Sequence, residues 1–343
     1  MIEMWVPFIV AALLSLIFTP FVRRGSCRFK VIDVPKDERR VHKKPIPLAG
    51  GLAMYGAFVI GVILFIGLHK ETIALLIGAT IITISGFIDD YKGLSPKGKL
   101  LFQGIAAIIL LLGDIKIEFF TNPFIEYDLI SLKLLAIPFT IFWIMGITNT
   151  INLIDGLDGL AAGVSMICAI SFMFIANRFA NYEVAIVAAI LAGVCLGFLP
   201  YNFNPASIFM GDTGALFLGF VLSYISIEGV MKSAAIITIL LPVIILGVPV
   251  FDTTFAMLRR MVSGRNIMSA DKGHLHHRLL SRGMTQRETV TALYVISVIF
   301  GVLANTASRF SSKTGFILSV LIILGVIFIA AMSGMFKSKE EEE

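Results

Sequence analysis

TIALLIGATIITISGFIDDYKG, residues 72–93, runs through seventeen positions without a charge and then into two adjacent aspartates. That apolar run approaches the roughly 20 residues a helix needs to cross a bilayer. The carboxylates mark its boundary, because ionised side chains are costly in hydrocarbon. The pattern of apolar run and polar boundary repeats along the chain. Candidate spans cover residues 4–22, 48–68, 72–88, 100–112, 134–151, 160–176, 184–199, 214–227, 234–257, 289–304 and 314–335, eleven in all. The expected fold is all-α: a polytopic integral membrane helix bundle forming a single domain over residues 1–343. Spans 100–112 and 214–227 are short and must borrow flanking residues, tilt, or thin the bilayer locally. Pro242, Gly247 and Pro249 predict a broken or kinked helix in 234–257. Glycines 56, 61, 67 and 78 would permit close helix packing.

Composition agrees. The chain is 57% hydrophobic and 15% charged, with a mean hydropathy of +0.91. Soluble domains carry about 25% charged residues, and a soluble fold of this length could not hide so much apolar surface. The net charge of +5 does not point to nucleic acid, because the cations sit in loops between apolar runs. Cys27, Cys168 and Cys195 have no metal-type spacing and read as reduced or lipid-buried thiols. The first apolar run lacks a basic leader, so it reads as a first span or signal anchor.

Alternate loops differ sharply in charge. One set, including the tail, holds 21 of the 28 Lys and Arg, and the other holds 7. The positive-inside rule makes the first set cytoplasmic, with the N-terminus outside and the C-terminus inside. The expected location is the cell membrane, multi-pass. The tail KSKEEEE reads as solvated and disordered.

Five polar clusters fall on that cytoplasmic side, around residues 23–47, 89–99, 149–159, 200–213 and 259–288. Asp89 and Asp90 repel each other and suit Mg²⁺ binding or general-base work. A plain polar helix end would also explain them. Lys92, Lys97 and Lys99 follow, placed to meet phosphate or lipid headgroups. Asn149, Asn152, Asp155 and Asp158 recur every three residues, which places them on neighbouring parts of one helical face. Carboxylates buried there without a cation would be expensive. Asp212 stands between glycines at the start of a span, where it reads as an N-cap, a metal ligand, or both. Asn202 and Asn204 add neutral polar groups nearby. His274, His276 and His277 lie with Lys272, Arg278 and Arg282. No cysteine is near and no i, i+4 histidine pair is present, so a cationic loop for a pyrophosphate or sugar fits better than zinc. The basic stretch 23–44 reads equally as lipid anchoring or substrate contact.

These stretches are PLAGG at Pro47, DDYKG at Asp89, NLIDGLDGL at Asn152, FMGDTGA at Phe209 and HLHHR at His274. In this order, over residues 35–282, they resemble the polyprenyl-phosphate N-acetylhexosamine-1-phosphate transferase family. The resemblance implies that a UDP-N-acetylhexosamine gives its sugar-1-phosphate to undecaprenyl phosphate, leaving UMP. It implies Mg²⁺, or Mn²⁺ in its place. The peptidoglycan branch, which uses UDP-MurNAc-pentapeptide, carries three consecutive histidines. Here Leu275 interrupts them, as in the branch that uses UDP-GlcNAc for teichoic acid, O-antigen or similar surface glycans. By motif position, Asp212 and Asn152 would hold the metal. Asp89 and Asp90 would position or deprotonate the acceptor phosphate. Asp155 and Asp158 would hold the nucleotide, with Phe209 stacking on uracil. Asn202 and the histidine loop, with Lys99 as a further cation, would contact phosphates or sugar. Membrane lipid is an expected partner, nucleic acid is not, and a homodimer is compatible with the sequence. A secondary transporter is the reading from a different class, and it predicts a midplane site with inverted repeats.

Overall fold

Backbone polar groups in a bilayer must be satisfied within the segment that carries them, so apolar runs become helices. The computed structural model describes residues 2–34, 45–122, 124–125, 128–231, 239–264, 273–333 and 335. The basic residues between 35 and 44, Lys272, the start of the expected span 234–257 and the charged tail lie outside the described residues.

The helices are α1 (Ile2–Arg28), α2 (Gly51–Phe65), α3 (Lys70–Lys92), α4 (Pro96–Leu112), α5 (Ala136–Ile154), α6 (Leu160–Arg178), α7 (Tyr182–Asn202) and α8 (Gly211–Ser226). They continue with α9 (Leu240–Ile245), α10 (Gly247–Val262), α11 (Leu275–Ser281), α12 (Gln286–Ala307) and α13 (Ser312–Met332). Among the described residues, eight helical segments are long and apolar enough to cross a membrane, and each coincides with an expected span. The other three expected spans correspond to α2, to α4, and to the α9–α10 pair. Among the described residues, two short antiparallel strand pairs accompany the helices: Ile32–Asp33 with Ile46–Pro47, and Phe119–Thr121 with Leu129–Ser131.

Two of the expected irregularities resolve physically. The span expected at 214–227 is not short: α8 starts at Gly211 and a π-helical turn, Ile227–Met231, prolongs it. For α4, four residues are borrowed from the lysine loop, with Ser95 accepting the Gly98 N–H at 3.2 Å and Pro96 in the first turn. The expected break is real and falls at Leu246, between α9 and α10.

Helix α8 is the axis of the bundle. Every residue from Thr213 to Ser226 is buried, against α2, α3, α5, α6 and α7. Small residues let its neighbours approach. A β-carbon at Gly219 would lie 2.6 Å from the Thr148 Cα, and one at Gly86 would lie 2.5 Å from the Asp212 carbonyl oxygen. Of the four glycines expected to serve packing, Gly78 meets Phe220 and Gly61 meets Ile190, whereas Gly67 has open space and a φ of +88° at the turn after α2. The close approach at Gly86 brings the end of α3 against the start of α8 and so creates the site.

Candidate active site

Asp90, one turn beyond Gly86, accepts three hydrogen bonds from the first turn of α8. Asp212 N donates to Oδ1 at 2.8 Å, while Thr213 N (3.1 Å) and Thr213 Oγ1 (2.5 Å) donate to Oδ2. Orphan N–H groups and the positive helix end favour a carboxylate there. The expected N-cap role of Asp212 is therefore corrected. Met210 occupies the N-cap position without a side-chain bond, and a carboxylate from another helix does the capping. Gly211, at φ +68°, has its hydrogen where a β-carbon would strike the Asp90 carboxylate.

The Asp212 side chain is thereby left for other work. Lys99 Nζ lies 2.5 Å from Asp212 Oδ2 and 2.7 Å from Asp89 Oδ2, and Leu94 N donates to Asp89 Oδ1 at 2.6 Å. Two carboxylates thus share one monovalent cation, which leaves a net negative charge for a divalent ion or a further cation.

Asp155 is the third acidic group. The expectation of one helical face for Asn149, Asn152, Asp155 and Asp158 is corrected, because α5 stops at Ile154 and Asp155 follows it with ψ +52°. Gly159, at φ +79°, starts α6 in the left-handed region. Asn149 instead exchanges amide hydrogen bonds with Gln103 of α4, at 3.0 and 2.7 Å. Among the described residues, nothing donates to the Asp155 carboxylate. Its depth, and then the charges of Asp212, Asp90 and Asp158, push its pKa up to about 8.

The remaining polar residues brace the loops. Asp158 accepts from Asn204 Nδ2 and Ala206 N, both at 3.0 Å. Asn202 is buried, accepting from Gly159 N and donating to Ile208 O, both at 3.1 Å. Tyr294 donates to Gly159 O at 2.5 Å. For Phe209, the backbone N–H donates to Pro47 O and the carbonyl accepts from Gly50 N, each at 2.9 Å, which seats the PLAGG segment beside the site.

A cavity of about 650 Å³ joins these parts. Asp89, Asp90, Asn152, Asp155, Asp158, Asn202, Phe209, Asp212 and His277 all line it, in the size range of ligand sites. Lys99, His274, His276 and Arg278 do not. The histidine loop, expected to meet a pyrophosphate or sugar, turns most of its polar side chains inward. It folds into α11, with His274, His276 and Arg278 buried and the three imidazoles in sequence contact: ring centroids lie 5.9 Å apart from His274 to His276 and 4.3 Å from His276 to His277. Burial, and then the neighbouring His277, bring the His276 pKa down to about 4. A β-carbon at Gly156 would lie 2.7 Å from His276 Nε2.

One residue escaped the sequence reading. Asp252 of α10 is 4% exposed; its Oδ2 lies 2.9 Å from His274 Nδ1, and its Oδ1 accepts from Leu275 N at 2.7 Å. A lone carboxylate inside an apolar run is itself a functional signal.

The donor set suits Mg²⁺, which binds through one or two carboxylates plus substrate phosphates and water. Among the described residues, no group of three or more His, Cys, Asp or Glu side chains could hold a metal alone, so zinc-type chelation is not built here.

Residues 72–230 match the family model described as glycosyl transferase family 4. The chain is 41% identical, over 99% of its length and 94% of the relative's, to a probable undecaprenyl-phosphate N-acetylglucosaminyl 1-phosphate transferase of Bacillus subtilis. It is 33% identical to a decaprenyl-phosphate N-acetylglucosaminephosphotransferase of Mycolicibacterium smegmatis, over 93% of this chain and 86% of that one. A phospho-N-acetylmuramoyl-pentapeptide-transferase of a Thermoanaerobacter species is 32% identical over 85% of this chain and 94% of that one.

Proposed function

The chain belongs to the polyprenyl-phosphate sugar-1-phosphate transferases of glycosyl transferase family 4, and from that premise we propose that it transfers GlcNAc-1-phosphate from UDP-GlcNAc to undecaprenyl phosphate. The products are undecaprenyl-diphospho-GlcNAc and UMP, the first membrane step of a surface glycan such as teichoic acid or O-antigen. The observation that carries this reading is the gathering of Asp89, Asp155, Asp158 and Asp212 on one cavity beside Phe209 and the PLAGG segment. Phosphoryl transfer between two anions needs alignment and charge neutralisation more than covalent help.

In this proposal Asp212 and Asn152 hold Mg²⁺, which when bound neutralises the donor pyrophosphate. Asp90 fixes the start of α8 and therefore the direction of Asp212. Asp89 and Lys99 form the adjoining charged wall, where the acceptor phosphate is positioned; Lys99 offsets carboxylate charge that would otherwise repel it. Asp155 and Asp158 border the nucleotide, and Phe209 supplies a ring for uracil. His277 is the member of the histidine cluster that reaches the donor.

The orientation proposed is cytoplasmic for the site and the C-terminus and external for the N-terminus. It follows from the charge bias of the loops and from the soluble UDP-sugar. An impermeant thiol reagent should label a cysteine placed at Glu343 only after the cells are opened; labelling from outside intact cells overturns the orientation. For the reaction, purified protein with undecaprenyl phosphate, Mg²⁺ and UDP-GlcNAc should release UMP and form a lipid of the GlcNAc-diphospho mass, and the absence of UMP overturns it. Use of UDP-MurNAc-pentapeptide is the second reading, favoured by the 32% relative. The relatives named above are all transferases, and none supports the transporter reading.

A further inference from the structure

A second cavity, of about 700 Å³, opens between α6 and α12. Its place along the bundle follows from the helices that form it. Helix α6 leaves the active site at Leu160 and ends at Arg178, and nineteen residues at 1.5 Å each span about 28 Å, the thickness of a bilayer's hydrocarbon core. Helix α12 also begins beside the site, where Gln286 Oε1 accepts from Asn204 Nδ2 at 2.7 Å, and it ends at Ala307. Arg178 and Arg309 therefore stand at the membrane boundary opposite the active site, at headgroup level. The walls below them are mostly apolar, with Ile170, Phe174, Val298 and Val302 beside the hydroxyl of Ser171.

Both arginines line this cavity, and among the described residues no Asp or Glu does. Arg178 is partly buried, and Arg309 stands close enough for the two like charges to interact. Arg178 Nη1 donates to Asn305 O at 2.8 Å and to Ser308 Oγ, bonds that hold the group in place and leave further N–H donors on it. Among the described residues, no acceptor is bonded to the guanidinium of Arg309. Two like charges held near each other at a low-dielectric boundary repel and call for a counter-anion. Cations are also scarce on this face, which carries 7 of the 28 Lys and Arg, so their meeting at one groove is not the ordinary charge bias of a loop.

We propose that this groove binds an anionic glycerophospholipid of the leaflet opposite the active site, its phosphate between Arg178 and Arg309 and an acyl chain along Phe174, Val298 and Val302. Arginine offers planar, paired N–H donors to phosphate. The apolar walls select a lipid over free phosphate, and the two positive charges select an anionic headgroup over a zwitterionic one.

The test is native mass spectrometry of the full-length protein in detergent, titrated with dioleoylphosphatidylglycerol or dioleoylphosphatidylcholine. The wild type should hold one phosphatidylglycerol molecule roughly tenfold more tightly than phosphatidylcholine. That tightly held molecule should be lost in Arg309→Gln and in the double variant R178Q/R309Q. Arg309→Gln removes no side-chain bond within the described structure, so its fold should survive, and UMP release should continue at the wild-type rate. An unchanged number of tightly bound phosphatidylglycerol molecules in both variants, or equal affinity for the two lipids in the wild type, overturns the proposal.

Discussion

Asp90 and Thr213 are bonded twice through one oxygen: Oδ2 of Asp90 accepts both the backbone N–H of Thr213, at 3.1 Å, and its hydroxyl, at 2.5 Å. The bonds join the last turn of α3 to the first turn of the central helix α8. They also separate Asp90, tied to the start of α8, from Asp212, whose carboxylate meets Lys99 and lines the cavity.

The separation can be measured. Asp90→Ala strips a helix start of its acceptor and leaves buried donors unpaired, a loss of about 1–3 kcal/mol. Asp212→Ala removes a cavity-facing carboxylate, while Lys99 keeps its 2.7 Å contact with Asp89. We expect Asp90→Ala to lower both the melting temperature in detergent and the rate. Asp212→Ala should cost roughly 10²–10³ in rate, as expected for one electrostatic group in a preorganised site, with melting temperature nearly unchanged. Near-normal turnover of Asp212→Ala at millimolar Mg²⁺ would overturn the proposal that Asp212 holds the metal.

Asp252 acts through His274. Its two oxygens bond the imidazole Nδ1 and the first N–H of α11, the short helix that also carries His277 to the cavity. Loss of one such bond to a charged group is worth about 1.5–3 kcal/mol. Asp252→Asn should therefore raise KM for UDP-GlcNAc roughly tenfold and leave KM for undecaprenyl phosphate unchanged. Equal rises for both substrates would point to general loosening of the fold instead.

The spans were legible because a run such as 72–88 has only one stable form in lipid. The acidic clusters were legible because carboxylates at span ends are costly without a purpose. What stayed hidden depends on tertiary contact. Asp89 and Asp90 are neighbours in sequence but about 100° apart around a helix, so one faces Lys99 and the other faces Thr213. The three-residue spacing from Asn149 to Asp158 suggested a continuous helix, but the helix ends at Ile154 and the turn at Gly159 redirects the chain. Helix α11 has only seven residues, too few for a periodic signal. Asp252 stands alone in a run whose prolines and glycines carry the stronger local signal, and its partners His274 and Leu275 come from a distant loop.

His276 makes stability depend on pH. Its folded pKa, about 4, lies below its ordinary value of 6.5, so between those values the unfolded chain holds a proton that the folded chain does not. Above pH 6.5 the group contributes nothing; as pH falls toward 4, stability is lost, by about 3 kcal/mol in full. Melting curves in detergent at pH 7.5 and pH 5 should show a larger drop for the wild type than for His276→Gln. Identical drops would mean that His276 charges freely in the fold.

Donor choice is the sharpest test of the branch. A muramoyl donor carries a lactyl ether and a peptide, and a site built for it needs matching polar partners. The loop here offers His274 and His276 only to the interior, where the first is tied to Asp252 and the second is packed against Gly156. Leu275 adds an apolar side chain between them, and His277 alone among the three histidines lines the cavity. Sites lacking partners for a substrate's polar groups can reject it by large factors, because those groups lose water and gain nothing. We therefore expect UDP-GlcNAc to be used and UDP-MurNAc-pentapeptide not to be, when each is incubated with purified protein, undecaprenyl phosphate and Mg²⁺ and the lipid product is identified by mass. Leu275→His should not by itself confer the muramoyl reaction, since the peptide would still lack polar partners elsewhere in the cavity. A muramoyl-pentapeptide lipid formed by the wild type as fast as the GlcNAc lipid would overturn the donor assignment and leave the transferase chemistry in place.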